Sequence, residues 1–263
     1  MLRIESWTPA FEPESDPFIR APEFVLGSWF GSNVKMALDR SSTAELVACA
    51  RSYVGAGARA LVISAPYLAE SVQAARGSNL GIGAQGCSTH LRGAFTGQVS
   101  ALDIAEVGCD FVMVGHAERI AAGETLDDLA AQVMHTRQAG MSVLLCVGET
   151  VVSGRPADIS DLDQQLTTAL GDVISEHDVI AYEPHWAIGE AGSEPDLDYV
   201  ATRLGLLKER VGASATVVYG GSVNEGNARG LAQLCDGVFV GRSAWSPKGW
   251  RAIEGAVTGS DDE

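Results

Sequence analysis

Short apolar runs recur along this chain and alternate with longer stretches of helical periodicity. Runs of roughly four to eight apolar residues without polar alternation are typical of strands covered on both faces, as in a parallel sheet. The stretches between them bring apolar residues back every three or four positions, which predicts amphipathic helices. The predicted strands are Phe24–Gly31, Ala60–Ser64, Leu80–Gln85, Phe111–Val114, Ser142–Cys146, Ile180–Tyr182, Ala215–Tyr219 and Gly237–Val240.

Local signals mark where several helices begin. The motifs Ser42-x-x-Glu45, Thr125-x-x-Asp128 and Ser160-x-x-Asp163 each place a hydroxyl three residues before a carboxylate, which predicts a capping box. The predicted helices are Ser42–Val54, Tyr67–Arg76, a short one from Ser100, Thr125–Gln138, Ser160–Val173, Leu197–Arg210, Asn224–Cys235 and Pro247–Val257.

This alternation of strands and helices predicts the fold class. Strand–helix units in succession are typical of an α/β protein with a parallel sheet. Eight units in one chain of 263 residues favour a closed (β/α)8 barrel over an open, doubly wound sheet, and no G-x-G-x-x-G follows the first strand. We therefore expect a single barrel domain over residues 23–258. Residues 1–22 are predicted to be a Pro-rich, irregular N-terminal extension, and residues 259–263 an acidic tail.

The net charge and the cysteine content indicate which binding partners and which cellular compartment to expect. The net charge of −16 repels phosphate backbones and anionic membranes, so we expect neither nucleic acid nor a membrane as partner. No apolar run is long enough to span a membrane, and the N-terminus lacks the apolar core of a signal peptide. Five scattered cysteines without paired spacing indicate free thiols in a reducing, cytoplasmic compartment.

Ionisable residues stand at the ends of several predicted strands, and in a barrel these ends meet at one mouth where the chemistry lies. The first strand leads to Asn33 and Lys35, the fourth to His116 and the sixth to Glu183. A carboxylate at a strand end beside a Gly-containing loop suits a general base. Gln85, Glu118, Cys146 and Glu149 occupy the ends of other strands.

Structural roles for these residues also fit the sequence. Lys35, one of three lysines, could be only the salt-bridge partner of Glu118 or Glu149. His116 by itself could be a hydrogen-bonded core histidine, and Glu183 could be an acid that caps its strand.

Two glycine turns follow the seventh and eighth strands, Gly220-Gly221-Ser222 and Gly241. They could be simple tight turns. Each precedes a helical stretch, however, and exposed backbone N–H groups in such turns bind anions. Barrels commonly bind phosphate in these two loops, so the sequence favours a phosphate site there.

Several segments at and after these strand ends resemble the sequence signatures of one protein family. The segments are Asn33–Met36, Gly83–Gln85, Gly93–Gly97, Val114–Arg119, Cys146–Glu149, Ala181–Gly189 and Tyr219–Val223. They resemble signatures of the triosephosphate isomerases, in that family's order, over roughly residues 24–257. The resemblance implies a TIM barrel that interconverts dihydroxyacetone phosphate and glyceraldehyde 3-phosphate in glycolysis and gluconeogenesis, with no metal or cofactor.

The resemblance also implies roles for the strand-end residues. Glu183 matches the base that shuttles a proton between adjacent carbons, and His116 matches the neutral imidazole that polarises the carbonyl. Lys35 and Asn33 match residues that hold the substrate and stabilise the enediolate. Further positions match the phosphate grip (Gly189, Ser222, Gly241, Arg242), supporting groups (Glu118, Cys146), a closing lid (Trp186–Gly192) and the loop 87–98, which in the family inserts into a partner to form a homodimer.

Departures from the family pattern leave alternatives open. Ala117 replaces the Ser usual after the catalytic His, Ile120 a usual Arg, Gly86 a frequent Asn, and Arg242 the second Gly of a pair. Gly241–Trp245 resembles related isomerases of four-carbon erythrulose phosphates, which makes that substrate the alternative. A non-catalytic sugar-phosphate binding protein is a further alternative. A Schiff-base aldolase would need a buried lysine, and a metal-dependent barrel a ligand-spaced cluster that the sequence lacks.

Overall fold

The chain folds into a closed barrel of eight parallel strands with helices between them, as predicted. The computed structural model describes residues 29–149, 159–171, 174–185, 196–212 and 215–259. Each strand pairs with the next, and the last pairs with the first, so the sheet has no open edge. The strands are β1 Trp29–Asn33, β2 Arg59–Ile63, β3 Leu80–Ala84, β4 Phe111–Val114, β5 Ser142–Val147, β6 Val179–Tyr182, β7 Thr216–Tyr219 and β8 Gly237–Val240.

Helices connect the strands over the described part of the chain. They are α1 Arg40–Ala50, α2 Leu68–Ala75, α3 Ala101–Val107, α4 Ala117–Ala121, α5 Leu126–Gln138, α6 Ser160–Leu170, α7 Leu197–Val211, α8 Ala228–Ala232 and α9 Pro247–Thr258. The short helix α4, directly after His116, was not predicted. The predicted N-terminal extension 1–22, strand residues 24–28 and tail residues 260–263 lie outside the described residues.

One of the three predicted capping boxes is confirmed. The Thr125 side chain accepts the backbone N–H of Asp128, whose carboxylate accepts the N–H of Thr125 in return. The box predicted at Ser42 is wrong, because Asp39 lies at the N-cap of α1 and its carboxylate accepts both the N–H and the hydroxyl of Ser42. An aspartate placed three residues earlier therefore takes the donor, and the helix begins sooner.

The box predicted at Ser160 is also wrong. Ser160 is the first helical residue of α6, and no side chain caps this helix at its N-cap residue, Ile159. Asp163 forms an ion pair with Arg210 of α7 instead of bonding back to its own helix terminus. The sequence motif was present, but an interaction between helices uses its carboxylate.

The helix predicted over Asn224–Cys235 is shorter in the structure. Asn224 Oδ1 accepts the N–H groups of Gly226 and Asn227, and Asn227 Oδ1 accepts the N–H of Asn224. These local bonds compete with helical ones and build a turn, so that α8 begins only at Ala228.

Alternate side chains of the strands form two apolar layers. The inward layer fills the barrel with large rings, and the Trp29 and Phe239 rings meet edge to face at 6.1 Å. Gly83 leaves room for this filling, because a Cβ there would overlap the Phe111 ring. The outward layer packs against the helices and is continuous with their buried faces. Packing on both sides fixes the strand ends, and with them the side chains at the mouth.

Aspartates at the N-terminal side of β4 and β8 tie neighbouring strands together. Asp110 accepts the backbone N–H of Ile82 at 2.8 Å, and Asp236 accepts that of Val217 at 2.8 Å. Lys208 forms an ion pair with Asp236, whereas Asp110 has no ion-pair partner among the described residues. Burial without a cation raises the pKa of Asp110 to about 6, which its hydrogen bond from Ile82 only partly opposes.

This raised pKa predicts a pH-dependent stability. Between the ordinary aspartate pKa of 3.8 and about 6, the unfolded chain ionises Asp110 while the folded chain still holds the proton. The contribution of Asp110 to the free energy of unfolding therefore falls as pH rises through this window and is constant above it. We expect Asp110→Asn, which can still accept the Ile82 N–H, to gain stability relative to the parent as pH rises from 4 to about 7. Urea unfolding of both proteins across this range measures the difference, and a pH-independent difference would contradict the prediction.

Candidate active site

A cavity of about 290 Å³ opens at the C-terminal ends of the strands. It collects side chains that are distant in sequence, because the closed barrel brings all eight strand ends to one mouth. Its lining comprises Asn33, Lys35, His116, Glu183, Gly220–Asn224 and Phe239–Ser243, together with Trp245. The cavity thus brings together Asn33, Lys35, His116, Glu183, Ser222, Gly241 and Arg242, whereas Gln85, Glu118, Cys146 and Glu149 are not part of its lining. Gly189 lies outside the described residues with the rest of the predicted lid.

Lys35 adopts a left-handed backbone conformation with φ of 50°, the only non-glycine residue with positive φ among those described. Several bonds hold it there: its N–H donates to Asn33 Oδ1 at 2.8 Å, and its carbonyl accepts Gln85 Nε2 at 2.6 Å and the Ser64 hydroxyl at 2.7 Å. Such a conformation is costly for a residue with a Cβ and persists only where neighbours enforce it. The bonds of Asn33, Ser64 and Gln85 therefore direct the ammonium group of Lys35 to the cavity.

The Lys35 ammonium also forms a 2.7 Å ion pair with Glu118. Burial pushes the pKa of Glu118 upward, but the hydrogen bond and charge of Lys35 bring it below its usual value. The salt bridge with Glu118 considered for Lys35 is thus present, and the Lys35 side chain also lines the cavity. The Glu118 side chain is 60 % exposed, so a substrate anion can compete with it for the ammonium group.

His116 is buried at the end of β4 and presents one ring nitrogen to its own helix. Its Nδ1 accepts the backbone N–H of Glu118 at 3.2 Å, at the start of α4. A ring nitrogen that accepts carries no proton, so the other nitrogen, Nε2, bears the N–H of a neutral imidazole. The unpredicted helix α4 therefore sets the tautomer that can donate a hydrogen bond to an oxygen in the cavity.

Glu183 follows β6 and is 2 % exposed. Burial raises its pKa, and this rise is opposed by the Cys146 thiol, the Ala117 backbone N–H and Lys35. Its Oε2 has no hydrogen-bond partner among the described residues, consistent with the missing hydroxyl at Ala117. A buried carboxylate with a raised pKa and a free oxygen is a more effective proton acceptor than a solvated one.

Two glycines make room for Glu183. A Cβ at Gly220 would come within 2.7 Å of Glu183 Cγ, and a Cβ at Gly148 would overlap the Glu183 carbonyl. Cys146 is fully buried beneath the carboxylate, and burial together with the Glu183 charge raises the pKa of its thiol. Cys146 thus remains a neutral thiol.

The two glycine turns after β7 and β8 lie side by side in the lining of the cavity. The Ser243 hydroxyl joins them by donating to the Val223 carbonyl at 2.9 Å, and Asn227 Nδ2 donates to the Ser222 carbonyl at 3.1 Å. Gly241 and Arg242 both line the cavity, and the Arg242 side chain is exposed to solvent there. This part of the lining supplies turns and a cation suited to an anionic group.

Trp245 and Gln85 hold other residues of the site in place, a role that the sequence did not reveal. Trp245 Nε1 donates to the Asn33 carbonyl at 2.8 Å and ties the turn after β8 to the end of β1. Gln85 Nε2 bonds both to Asn33 Oδ1 and to the Lys35 carbonyl. The position of Gln85 at a strand end was a weak signal, whereas nothing in the local sequence connected Trp245 with Asn33.

In the described ranges, no group of three or more His, Cys, Asp or Glu side chains could hold a metal ion. Within the same ranges no helix combines the length and apolar character that crossing a membrane requires.

The fold and the site together define a (β/α)8 barrel enzyme with proton-transfer groups at the C-terminal mouth. The family model described as "Triosephosphate isomerase" matches residues 28–257, and the chain belongs to this family of intramolecular isomerases. Triosephosphate isomerase of Thiobacillus denitrificans is 35% identical over 233 residues, which cover 83% of this chain and 92% of that protein. The enzyme of Bordetella pertussis is 35% identical over 228 residues, covering 82% and 90%.

A solved structure agrees with these relatives. The crystal structure of triosephosphate isomerase from Bartonella henselae superposes with a TM-score of 0.75 at 28% sequence identity. The match covers 88% of this chain and 99% of that one.

Proposed function

We propose that this protein interconverts dihydroxyacetone phosphate and D-glyceraldehyde 3-phosphate through an enediolate, with Glu183, His116 and Lys35 as the groups that act on the substrate and Asn33 as the residue that supports Lys35. The observation that carries the proposal is the convergence of a buried carboxylate, a neutral imidazole and an ammonium group in one cavity. Removing a proton from a carbon beside a carbonyl requires a base and a partner for the oxygen that becomes negative. The site offers both.

Each group has a step in this reaction. Glu183 takes the proton from the carbon next to the carbonyl and returns it to the adjacent carbon. His116 Nε2–H donates a hydrogen bond to the oxygen on which charge develops, and the Lys35 cation stabilises that charge. Asn33 contributes indirectly, because its side-chain oxygen accepts the Lys35 N–H and holds that residue in place.

Phosphate binding is proposed for Ser222, Gly241 and Arg242, with Gly189 as a further member. The side-by-side turns after β7 and β8 support this role, since both border the cavity and a hydrogen bond joins them. The Arg242 side chain adds a cation to a site that backbone N–H groups otherwise form.

The presence of Arg242 also supports the second candidate, an isomerase of a four-carbon erythrulose phosphate, because its guanidinium changes the shape and charge of the phosphate end. The test compares the purified protein on both sugar phosphates. Turnover is followed by product formation and by uptake of solvent deuterium at the carbon next to the carbonyl. A kcat/KM for the four-carbon sugar that exceeds that for the triose by orders of magnitude would replace the first proposal. If neither sugar phosphate takes up solvent deuterium, the alternative of a non-catalytic sugar-phosphate binding protein would remain.

A homodimer formed through the loop 87–98 is part of the proposal. Ser100 and Ser88 anchor the base of this loop, while residues 92–99 are exposed and include Phe95 at 40% and Val99 at 39% exposure. Phe95 stacks on His90 with a centroid separation of 3.6 Å, so the tip presents an ordered aromatic pair. An exposed, ordered aromatic tip is suited to a protein interface. All five cysteines are free thiols, which supports the cytoplasmic location.

We expect Phe95→Asp to shift the protein from dimer to monomer, because a carboxylate would be desolvated in the interface. Sedimentation velocity measures the change, with Val54→Asp as the control at another exposed apolar residue. A parent protein that sediments as an active monomer would reject the dimer.

A further inference from the structure

A buried polar network lies directly behind the proposed base, outside the cavity. Glu149, at 4% exposure, accepts two hydrogen bonds at the same oxygen, from the Tyr182 hydroxyl at 2.8 Å and the Tyr199 hydroxyl at 2.5 Å. Arg203 donates to the Tyr199 hydroxyl at 3.2 Å, and its guanidinium lies 5.2 Å from the centre of the Tyr199 ring. The network thus runs from helix α7 through Glu149 to strand β6.

Glu149 contacts the chain on both sides of Glu183. Its side chain accepts the hydroxyl of Tyr182, the residue before Glu183, and its backbone carbonyl accepts the N–H of His185 at 3.0 Å. The backbone around Glu183 is also bonded to both neighbouring strands: the Glu183 N–H donates to the Val147 carbonyl, and the Gly220 N–H donates to the Tyr182 carbonyl. The orientation of the Glu183 side chain therefore depends on where Glu149 holds Tyr182 and His185.

The charges explain why α7 supplies a tyrosine and an arginine at this point. A buried carboxylate is stable only when hydrogen bonds and a cation replace its hydration. Tyr182 and Tyr199 supply the hydrogen bonds, and Arg203, 2% exposed, supplies the nearby positive charge. Burial and the charge of Glu149 raise the pKa of Tyr199, so its hydroxyl keeps the proton that it donates. Loss of the Tyr199 hydroxyl would remove one of the hydrogen bonds that hold Glu149, and loss of the Arg203 cation would remove a nearby positive charge, so that Glu149 would be held less firmly.

A direct role in substrate binding does not fit these residues. Neither Tyr199 nor Arg203 lines the cavity, and both lie on α7 behind the strand layer. We propose that Tyr199 and Arg203 are positioning residues, which hold Glu183 in its productive orientation by acting through Glu149 and Tyr182. This inference rests on the proposed function of Glu183 as the base.

The test measures isomerisation by Tyr199→Phe and Arg203→Met, with Arg210→Met as the matched control on the same helix. Active sites are counted by titration with a phosphate-bearing analogue of the enediolate. We expect kcat per active site to fall about 10- to 100-fold in both variants, since a displacement of about 1 Å at a reacting group costs on the order of 10² in rate. KM should change by less than about twofold, because the groups that bind the substrate are unaltered. Arg203→Lys should recover part of the loss, and Arg210→Met should match the parent.

A double-mutant cycle tests whether the effect passes through Glu149. In a Glu149→Gln background, the Tyr199→Phe change should lower kcat much less than it does in the parent. The reason is that the group that accepts the Tyr199 hydrogen bond has already lost its charge in this background. Equal effects in both backgrounds would overturn the proposed route.

Stability and kcat per active site together distinguish a positioning role of the network from a purely structural one. Variants that unfold more easily but keep the parent kcat per active site would show a purely structural network and refute the proposal. Tyr199→Phe removes only one oxygen from a half-buried ring. If Arg203→Met does not fold, the kcat of Tyr199→Phe still tests the positioning role. A parent protein that isomerises neither sugar phosphate would remove the proposed function and this inference together, whereas an active parent with unaffected variants would remove only the inference.

Discussion

Glu183→Gln is expected to lower kcat by about 10³- to 10⁴-fold, the upper part of the range for removing a general base. The amide is nearly isosteric with the carboxylate but cannot accept the proton from carbon. Substrate binding should survive, because Lys35 and the turns after β7 and β8 are unchanged. Steady-state kinetics and titration with an enediolate analogue measure the two quantities separately.

The pH profile adds a second readout for the same variant. Because burial raises the pKa of Glu183, the acid limb of kcat/KM in the parent should lie above the usual glutamate value of 4.5. Turnover is present above this raised pKa and is lost as pH falls through it, since the protonated carboxyl cannot act as a base. The residual activity of Glu183→Gln should lack this limb. Glu209→Gln, at an exposed position on α7, serves as control, and near-parental turnover in Glu183→Gln would refute the assignment of the base.

Lys35→Met is expected to lower kcat/KM by about 10²- to 10³-fold, the size of effect found when one stabilising group for a developing oxyanion is removed. The methionine keeps much of the chain length but removes the ammonium group, so both the anionic substrate and the enediolate lose a partner. KM should rise together with the fall in kcat, unlike the result expected for Glu183→Gln. Initial rates over a range of substrate concentrations separate the two effects.

Lys248→Met is the matched control for this change, because Lys248 is exposed on α9 and lies outside the cavity. Lys35→Arg is a second comparison: it keeps the charge but presents a planar fork in place of a compact ammonium group, so activity should be recovered only in part. Parental kinetics in Lys35→Met would mean that the 2.7 Å pair with Glu118 is the whole role of this lysine.

Much of the barrel could be predicted from local sequence alone. The strands β4 and β8 begin and end at the predicted residues, and the Thr125 capping box marks the start of α5 as expected. These features depend on neighbours within a few residues, where apolar runs and capping side chains act. The errors arose where a more distant or competing group intervened, as Arg210 does with Asp163 and as the Asn224 turn does with the start of α8.

In the candidate site, too, some features could be predicted from local sequence and others depend on distant residues. Residue types at the strand ends predicted Glu183, His116 and Lys35, and the family resemblance supplied their roles. The sequence could not predict the tautomer of His116, which the short helix α4 sets through the Glu118 N–H. Nor could it predict the strained backbone of Lys35, which depends on side chains from β1, β3 and the end of β2.

The sequence by itself determined the class of fold, the strand-end residues and the acidic, lysine-poor character of the chain, because hydrophobic period and residue type are local properties. The tertiary structure decided what surrounds Glu183: the burial that raises its pKa, the glycines that make room for it and the Glu149 network behind it. Burial and hydrogen-bond partners arise only when strands far apart in sequence close into one barrel. The reactivity of the carboxylate therefore depends on the closed barrel as a whole.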